Sequence, residues 1–179
     1  MHSSRKLSIG IVGAGTAGLA TAIAFARLGH NVQVFEKHPG LAMLGAGLLI
    51  QPQGVAALLA LGVGPEFAAG SLPIERLLGK NHRSWTLVDI PYRSHEARAV
   101  SRSALAHLLL NAALLAGVTI RFGAQVGQVE TEGTHGFACV DGERIGFDLL
   151  VIADGAASVL SAQAGLAVSA TQYKWGALW

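Results

Sequence analysis

Three glycines, Gly13, Gly15 and Gly18, stand within six positions of the stretch GIVGAGTAGLATAIAFARLGHNVQVFEK (10–37), and Glu36 stands near its far end. In this GxGxxG spacing the first glycine permits a tight strand-to-helix turn, the second lets backbone approach a pyrophosphate, and the third lets helix and strand pack closely. The loop Gly13, Ala14, Gly15, Thr16, Ala17, Gly18 then aims unpaired N–H groups and the positive end of a helix dipole at phosphate oxygens. A carboxylate about twenty residues on accepts hydrogen bonds from ribose hydroxyls and repels a 2′-phosphate. The chemistry is dinucleotide binding. NAD and FAD share the adenosine diphosphate half that such a turn recognises, so these residues leave the two open.

The elements that must position this loop are legible around it. Leu7 to Val12 is branched and apolar, as in a strand buried on both faces of a parallel sheet. Thr16 to Leu28 is rich in helix formers, with Leu19, Ile23 and Ala26 on one face and Gly29 as a stop. Asn31 to Glu36 alternates and closes a βαβ unit. Further on the pattern predicts a short helix over 54–61, a strand pair of Ile74 to Leu78 with Trp85 to Ile90, and a helix over 103–116. In that last helix Leu105, Leu108, Leu109, Ala112 and Leu115 carry the buried spacing. Segments 118–122, 125–131, 136–142 and 143–155 read as strands; the middle ones form a β-meander, and DLLVIA is again a parallel-type strand.

Composition narrows the function class. The chain has 179 residues, is 51% hydrophobic, carries 23 glycines and has a formal net charge of +2 with its basic residues scattered, which disfavours a nucleic-acid partner. Its one cysteine, Cys139, suits a reducing cytoplasm. The seven histidines are dispersed without metal-ligand spacing, so no metal site and no separate catalytic constellation is read. His38 to Pro65 contains no Asp, Glu, Lys or Arg, yet Pro52 and four glycines interrupt any helix of the ~20 residues a bilayer requires. No membrane span is expected. The apolar end, YKWGALW, reads as a strand cut from its neighbours or one that pairs with another chain.

Three later stretches add specificity: GAGLLIQPQGVAALLALG (45–62), AVSRSALAHLLLNAA (99–113) and FDLLVIADGAASVLS (147–161). With the first motif, and in this order, they resemble the FAD-dependent monooxygenases of the para-hydroxybenzoate hydroxylase type, the single-component flavoprotein aromatic hydroxylases. The resemblance implies an α/β fold: a doubly wound, Rossmann-like parallel sheet with a β-meander crossover and an incomplete second β-rich domain. It places the FAD-binding domain at 1–163, with an inserted strand pair at about 72–97 on the substrate side, and the start of a substrate domain at 164–179.

Residue by residue, the likeness implies that Gly13 to Gly18 hold the FAD pyrophosphate and that Glu36, with Lys37 beside it, binds the adenosine ribose. Arg102 reaches the phosphate and ribityl region, as a guanidinium pairing with phosphate oxygens can. Val126 meets the adenine, and Asp154 and Gly155 form the family's DG motif. Asp154 also reads as a helix N-cap for AASVLS. The family's DGxxSxxR pattern is met at Ser158 but has Ser161 in the basic position.

The implied activity is hydroxylation of a small aromatic substrate, with NADH or NADPH as transient reductant. Family members continue beyond this length into a GD-containing motif, so the expectation is an FAD-binding portion not competent alone. A dehydrogenase using NAD or FAD remains open, as does a non-catalytic module pairing through 173–179 or as a homo-oligomer.

Overall fold

A computed structural model describes residues 5–41, 47–92, 96–166, 171 and 174. In chain order the elements are β1 (Ser8–Val12), α1 (Thr16–Arg27), β2 (Asn31–Glu36), β3 (Gly47–Ile50), α2 (Pro52–Ala60), α3 (Gly64–Ala69), β4 (Leu72–Ile74), β5 (Arg76–Lys80), β6 (Thr86–Pro91), β7 (Ala97–Ser101), α4 (Arg102–Leu115), β8 (Thr119–Phe122), β9 (Val126–Glu132), β10 (His135–Val140), β11 (Glu143–Phe147), β12 (Leu149–Ile152) and α5 (Leu160–Gln163). They fall into two compact units, one of Met1–Ala42 with Leu109–Trp179 and one of Met43–Leu108. Gly45, Tyr173 and residues 175–179 lie outside the described residues, and with them the expected C-terminal strand and most of the segment 164–179.

The first unit is built on a four-stranded parallel sheet in the order β12-β1-β2-β8. Its strands are branched and apolar because both faces are covered: Ile9, Ile11 and Val34 are fully buried, and so are Leu19 and Ile23 of α1. The three-stranded antiparallel meander β11-β10-β9 shares a core with that sheet through Val12, Phe35, Val126, Val129, Val140 and Phe147. Phe35 and Phe147 meet edge to face, their ring centroids 5.9 Å apart. Gly10 makes this possible, since a Cβ there would come within 2.7 Å of the Phe147 ring.

In the second unit β3-β7-β4 form an antiparallel sheet and β5-β6 a separate hairpin. The expected strand over Ile74 to Leu78 is in fact two: Ile74 ends β4 against Ala97, and the hairpin partner begins at Arg76. Asn81 turns the hairpin, its side-chain oxygen accepting the N–H groups of Arg83 and Trp85. β7 and α3, which the sequence pattern did not announce, are tied together by Arg98. Its guanidinium donates to the Ser71 hydroxyl at 2.6 Å and to the carbonyls of Ala68 and Ser71 at 2.8 Å, and it pairs with Glu96.

The buried face of α4 also differs from expectation. Leu105, Leu109 and Ala113 are buried while Leu115 is 90% exposed, because the inward row follows a strict i, i+4 stride and Leu115 falls off it.

Opposite the carboxyl ends of the parallel strands, Asp148 fastens the start of β1. Its carboxylate accepts the Ser8 N–H at 2.8 Å and the Arg5 guanidinium at 2.7 Å, while its own N–H donates to the Ser8 carbonyl at 2.9 Å. The Ser8 hydrogen bond chiefly holds the Asp148 carboxyl below its ordinary range; partial burial opposes it, and the charges of Arg5 and His135 add to it. A folded-state pKa below the unfolded one gives stability that is present above the unfolded value of about 3.9 and lost as pH falls through the folded value. Comparing chemical denaturation of the wild type and Asp148→Asn therefore should show a stability gap at neutral pH that closes in acid. A gap independent of pH contradicts this role.

Candidate nucleotide-binding site

The chain leaves β1 for β2 on one side, and β12 returns on the other side of β1. In open parallel sheets the crevice at such a reversal, beyond the carboxyl ends of the strands, is where ligands bind. Gly13 follows β1, Glu36 ends β2 and Asp154 follows β12, so the topology gathers three of the sequence-predicted positions at this crevice. The cavity there, about 160 Å³, is lined by Gly13, Glu36, Lys37, Val126 and Asp154 among the expected residues. Val12, Phe35, Ala124, Gln125, Ala157, Val159 and Leu160 complete it. None of these was singled out as a site residue, although Val12 and Phe35 lie within the stretch 10–37 and Ala157, Val159 and Leu160 within 147–161; they are what strand ends and the chain after Asp154 bring to the place.

The three glycines are distinguished by their surroundings. Gly13 has φ +103°, and a Cβ on it would strike the Ala153 carbonyl, where β12 runs beside β1. A Cβ on Gly18 would strike the Gly13 carbonyl, so the helix can approach the turn only without one. Gly15 is different: nothing lies within 4 Å of its would-be Cβ, and its φ of −73° suits any residue. Beyond the preference of a helix N-cap, no steric demand of the protein calls for a glycine there. A ligand approaching the backbone does.

The helix start is equally uncommitted to protein partners. No side chain caps α1, and no acidic residue stands in its first turn. Gly15, Thr16 and Ala17 are exposed whereas Gly18 is buried. Orphan N–H groups and a positive dipole end therefore face the crevice.

Glu36 is fixed by two backbone donors. Its Oε2 accepts the Ala14 N–H and its Oε1 the His38 N–H, each at 2.9 Å. One lone pair of each oxygen is thereby used and the other is left for a diol. Beneath it, Gly13 N–H donates to the Phe35 carbonyl at 2.8 Å, so the glycine-rich turn is bonded to the end of β2 through both main chain and side chain.

Other expectations meet different outcomes. Gly155 has φ +100° directly after Asp154. Asp154 is not a helix N-cap: α5 begins only at Leu160, and the Ser158 hydroxyl accepts the Ser161 N–H at 3.2 Å. The N-cap position is Val159, and Asp154 lies too early because the chain from Gly155 to Ser158 makes a turn, with Ser158 N–H bonded to the Gly155 carbonyl at 3.1 Å. Arg102 is the exposed first residue of α4 in the second unit, and the helix there is capped by Ser101, whose hydroxyl accepts the Ala104 N–H at 3.1 Å. Among the described residues no cluster of three or more His, Cys, Asp or Glu could hold a metal ion, and no helix is long and apolar enough to cross a membrane.

A parallel sheet with a glycine-rich turn at its switch point and a carboxylate at the next strand's end defines the class of dinucleotide-binding α/β domains. Comparison with known proteins narrows this. The family model described as FAD binding domain matches residues 6–178, and the chain belongs to that family.

It is 33% identical over 163 residues to the FAD-dependent monooxygenase atnJ of Arthrinium sp, covering 88% of this chain and 38% of that protein. It is 35% identical over 162 residues to Monooxygenase 1 of Arabidopsis thaliana, covering 87% and 40%. The crystal structure of the tetrameric form of 2-methyl-3-hydroxypyridine-5-carboxylic acid oxygenase superposes with a TM-score of 0.78 at 27% identity, covering 88% and 42%. The chain thus spans about two-fifths of the length of these relatives.

The unequal glycines give a test that needs no ligand. Gly18→Ala should cost about 1–3 kcal/mol of unfolding free energy through overpacking, and Gly15→Ala should change it by less than about 0.5 kcal/mol. Denaturant titration of the two variants measures this, and equal effects contradict the assignment.

Proposed function

We propose that the chain binds FAD through its adenosine diphosphate half and forms the cofactor-holding part of an NAD(P)H-dependent monooxygenase acting on a small aromatic substrate. The observation that carries the proposal is the free approach to Gly15 beside the uncapped α1 terminus, with Glu36 held ready next to it. Membership in the FAD binding domain family favours FAD over NAD as the dinucleotide.

The residues present fit the cofactor. In this reading the free backbone N–H groups of Gly15, Thr16 and Ala17 take the pyrophosphate, while Gly13 and Ala14, whose N–H groups are bonded to Phe35 and Glu36, and Gly18 shape the loop. The two remaining lone pairs of Glu36 take the ribose 2′- and 3′-hydroxyls, and Lys37 lines the same wall. Val126 and its apolar neighbours Val12, Phe35 and Leu160 exclude water from the base. Asp154 and Gly155 bound the crevice on the β12 side, and Arg102 is assigned the phosphate and ribityl contact. When bound, FAD would supply the redox chemistry.

Oxygen insertion is the reaction class the relatives' names support; NADH or NADPH as electron donor and an aromatic ring as acceptor are part of the proposal. Two are FAD-dependent or unspecified monooxygenases and one is an oxygenase of a hydroxypyridine carboxylic acid. The residues 72–97, in the second unit, are assigned to the substrate side. Only the dinucleotide-binding step is assigned to this chain by itself.

Calorimetric titration of the 179-residue chain with FAD, ADP and NAD tests the reading. FAD and ADP should bind, and Glu36→Gln should weaken ADP by about 10- to 100-fold, the worth of hydrogen bonds to a charged acceptor. Binding of NAD in preference to FAD, or an unchanged affinity in Glu36→Gln, contradicts it.

A further inference from the structure

β9 is an edge strand of the meander, so among the described residues one row of its N–H and C=O groups has no strand neighbour. Gln163, near the end of α5, lies against that edge. Its side-chain oxygen accepts the Val129 N–H at 3.3 Å, and its side-chain nitrogen donates to the Gly127 carbonyl at 3.5 Å. These two groups flank Gln128. In a parallel ladder a residue bonds to the C=O before and the N–H after the residue it faces. The carboxamide of Gln163 therefore stands in for the N–H and C=O that one residue of a parallel strand would present to β9.

The segment it ends is the wall of the nucleotide cavity. Ala157, Val159 and Leu160 line that cavity across from Ala124 and Val126 of the β9 side. α5 has only four residues, too few to hold a position by its own helix energetics. Two anchors on one face of that turn fix it: Leu160, 3% exposed and packed with Val126 and Val129, and Gln163, three residues on, hydrogen-bonded to the same strand. Leu160 supplies apolar contact, which is not directional. The carboxamide supplies the register.

We infer that Gln163 is a positioning residue for the nucleotide site: by mimicking a strand residue on the β9 edge it sets the distance between the Ala157 to Leu160 wall and Val126. The inference rests on the reading of that cavity as the adenosine end of the dinucleotide site. Gln163 does not itself line the cavity, so it acts through α5 alone.

ADP titration of the full chain and of Gln163→Leu and Gln163→Glu, with hydrogen exchange at the Val129 amide followed by NMR, tests this. Gln163→Leu keeps bulk and loses both hydrogen bonds; it should weaken ADP about fivefold, the worth of one net hydrogen bond, and expose the Val129 amide to exchange. Gln163→Glu keeps the acceptor but sets a carboxylate against the Gly127 carbonyl; it should leave Val129 protected while still weakening ADP. A Gln163→Leu chain with a wild-type melting transition, unchanged ADP affinity and unchanged Val129 exchange overturns the inference. Should the wild type bind no ADP, the nucleotide reading falls instead, and an unchanged Val129 exchange rate in Gln163→Leu then overturns the anchoring by itself.

Discussion

The first unit is organised by the contact between the turn after β1 and the end of β2. Gly13 donates to the Phe35 carbonyl and Ala14 to the Glu36 carboxylate, so main chain and side chain hold one loop against one strand. That fastening explains why the residues around it are small. β12 crowds Gly13 from one side through Ala153, and Gly13 in turn crowds Gly18, so strand, turn and helix form a stack with no room for a Cβ at either position. The stack sets the direction of α1 and so the direction of its free N–H groups. Gly15, which the stack does not constrain, is left facing outward.

A second consequence lies on the other side of the cavity. The meander is held to the sheet by an aromatic pair made possible at Gly10, and it brings Ala124 and Val126 opposite the chain that follows β12. Polar and apolar halves of the cavity therefore come from different layers: turn and strand ends give the hydrogen-bonding half, and meander and α5 give the apolar half. A ligand with a charged middle and a flat apolar end suits that division.

What the sequence made legible was whatever rests on local pattern. β2 was read with its observed limits, and α1 and α4 within a residue or two, because apolar spacing and flanking glycines mark them. The meander strands were read because alternation and short glycine turns are local too. What depends on distant partners stayed hidden. β7 exists through its pairing with β3 and β4 and through Arg98, whose partners Ala68 and Ser71 lie about thirty residues earlier in the chain.

At the site, the glycines and Glu36 announced themselves by spacing. Gln125, Ala157 and Val159 did not, since nothing in their type foretells that two strand ends converge there. Asp154 is no N-cap because the turn from Gly155 to Ser158 separates it from α5, whose N-cap position is Val159.

The central claim is that phosphate docks on the backbone of the Gly13 to Gly18 loop. Amide chemical-shift mapping during ADP titration of the isotope-labelled chain tests it most directly. The account predicts that Gly15, Thr16 and Ala17 shift most, with Ala14 and His38 following through Glu36. Shifts confined to other parts of the chain, or none at saturating ADP, contradict it.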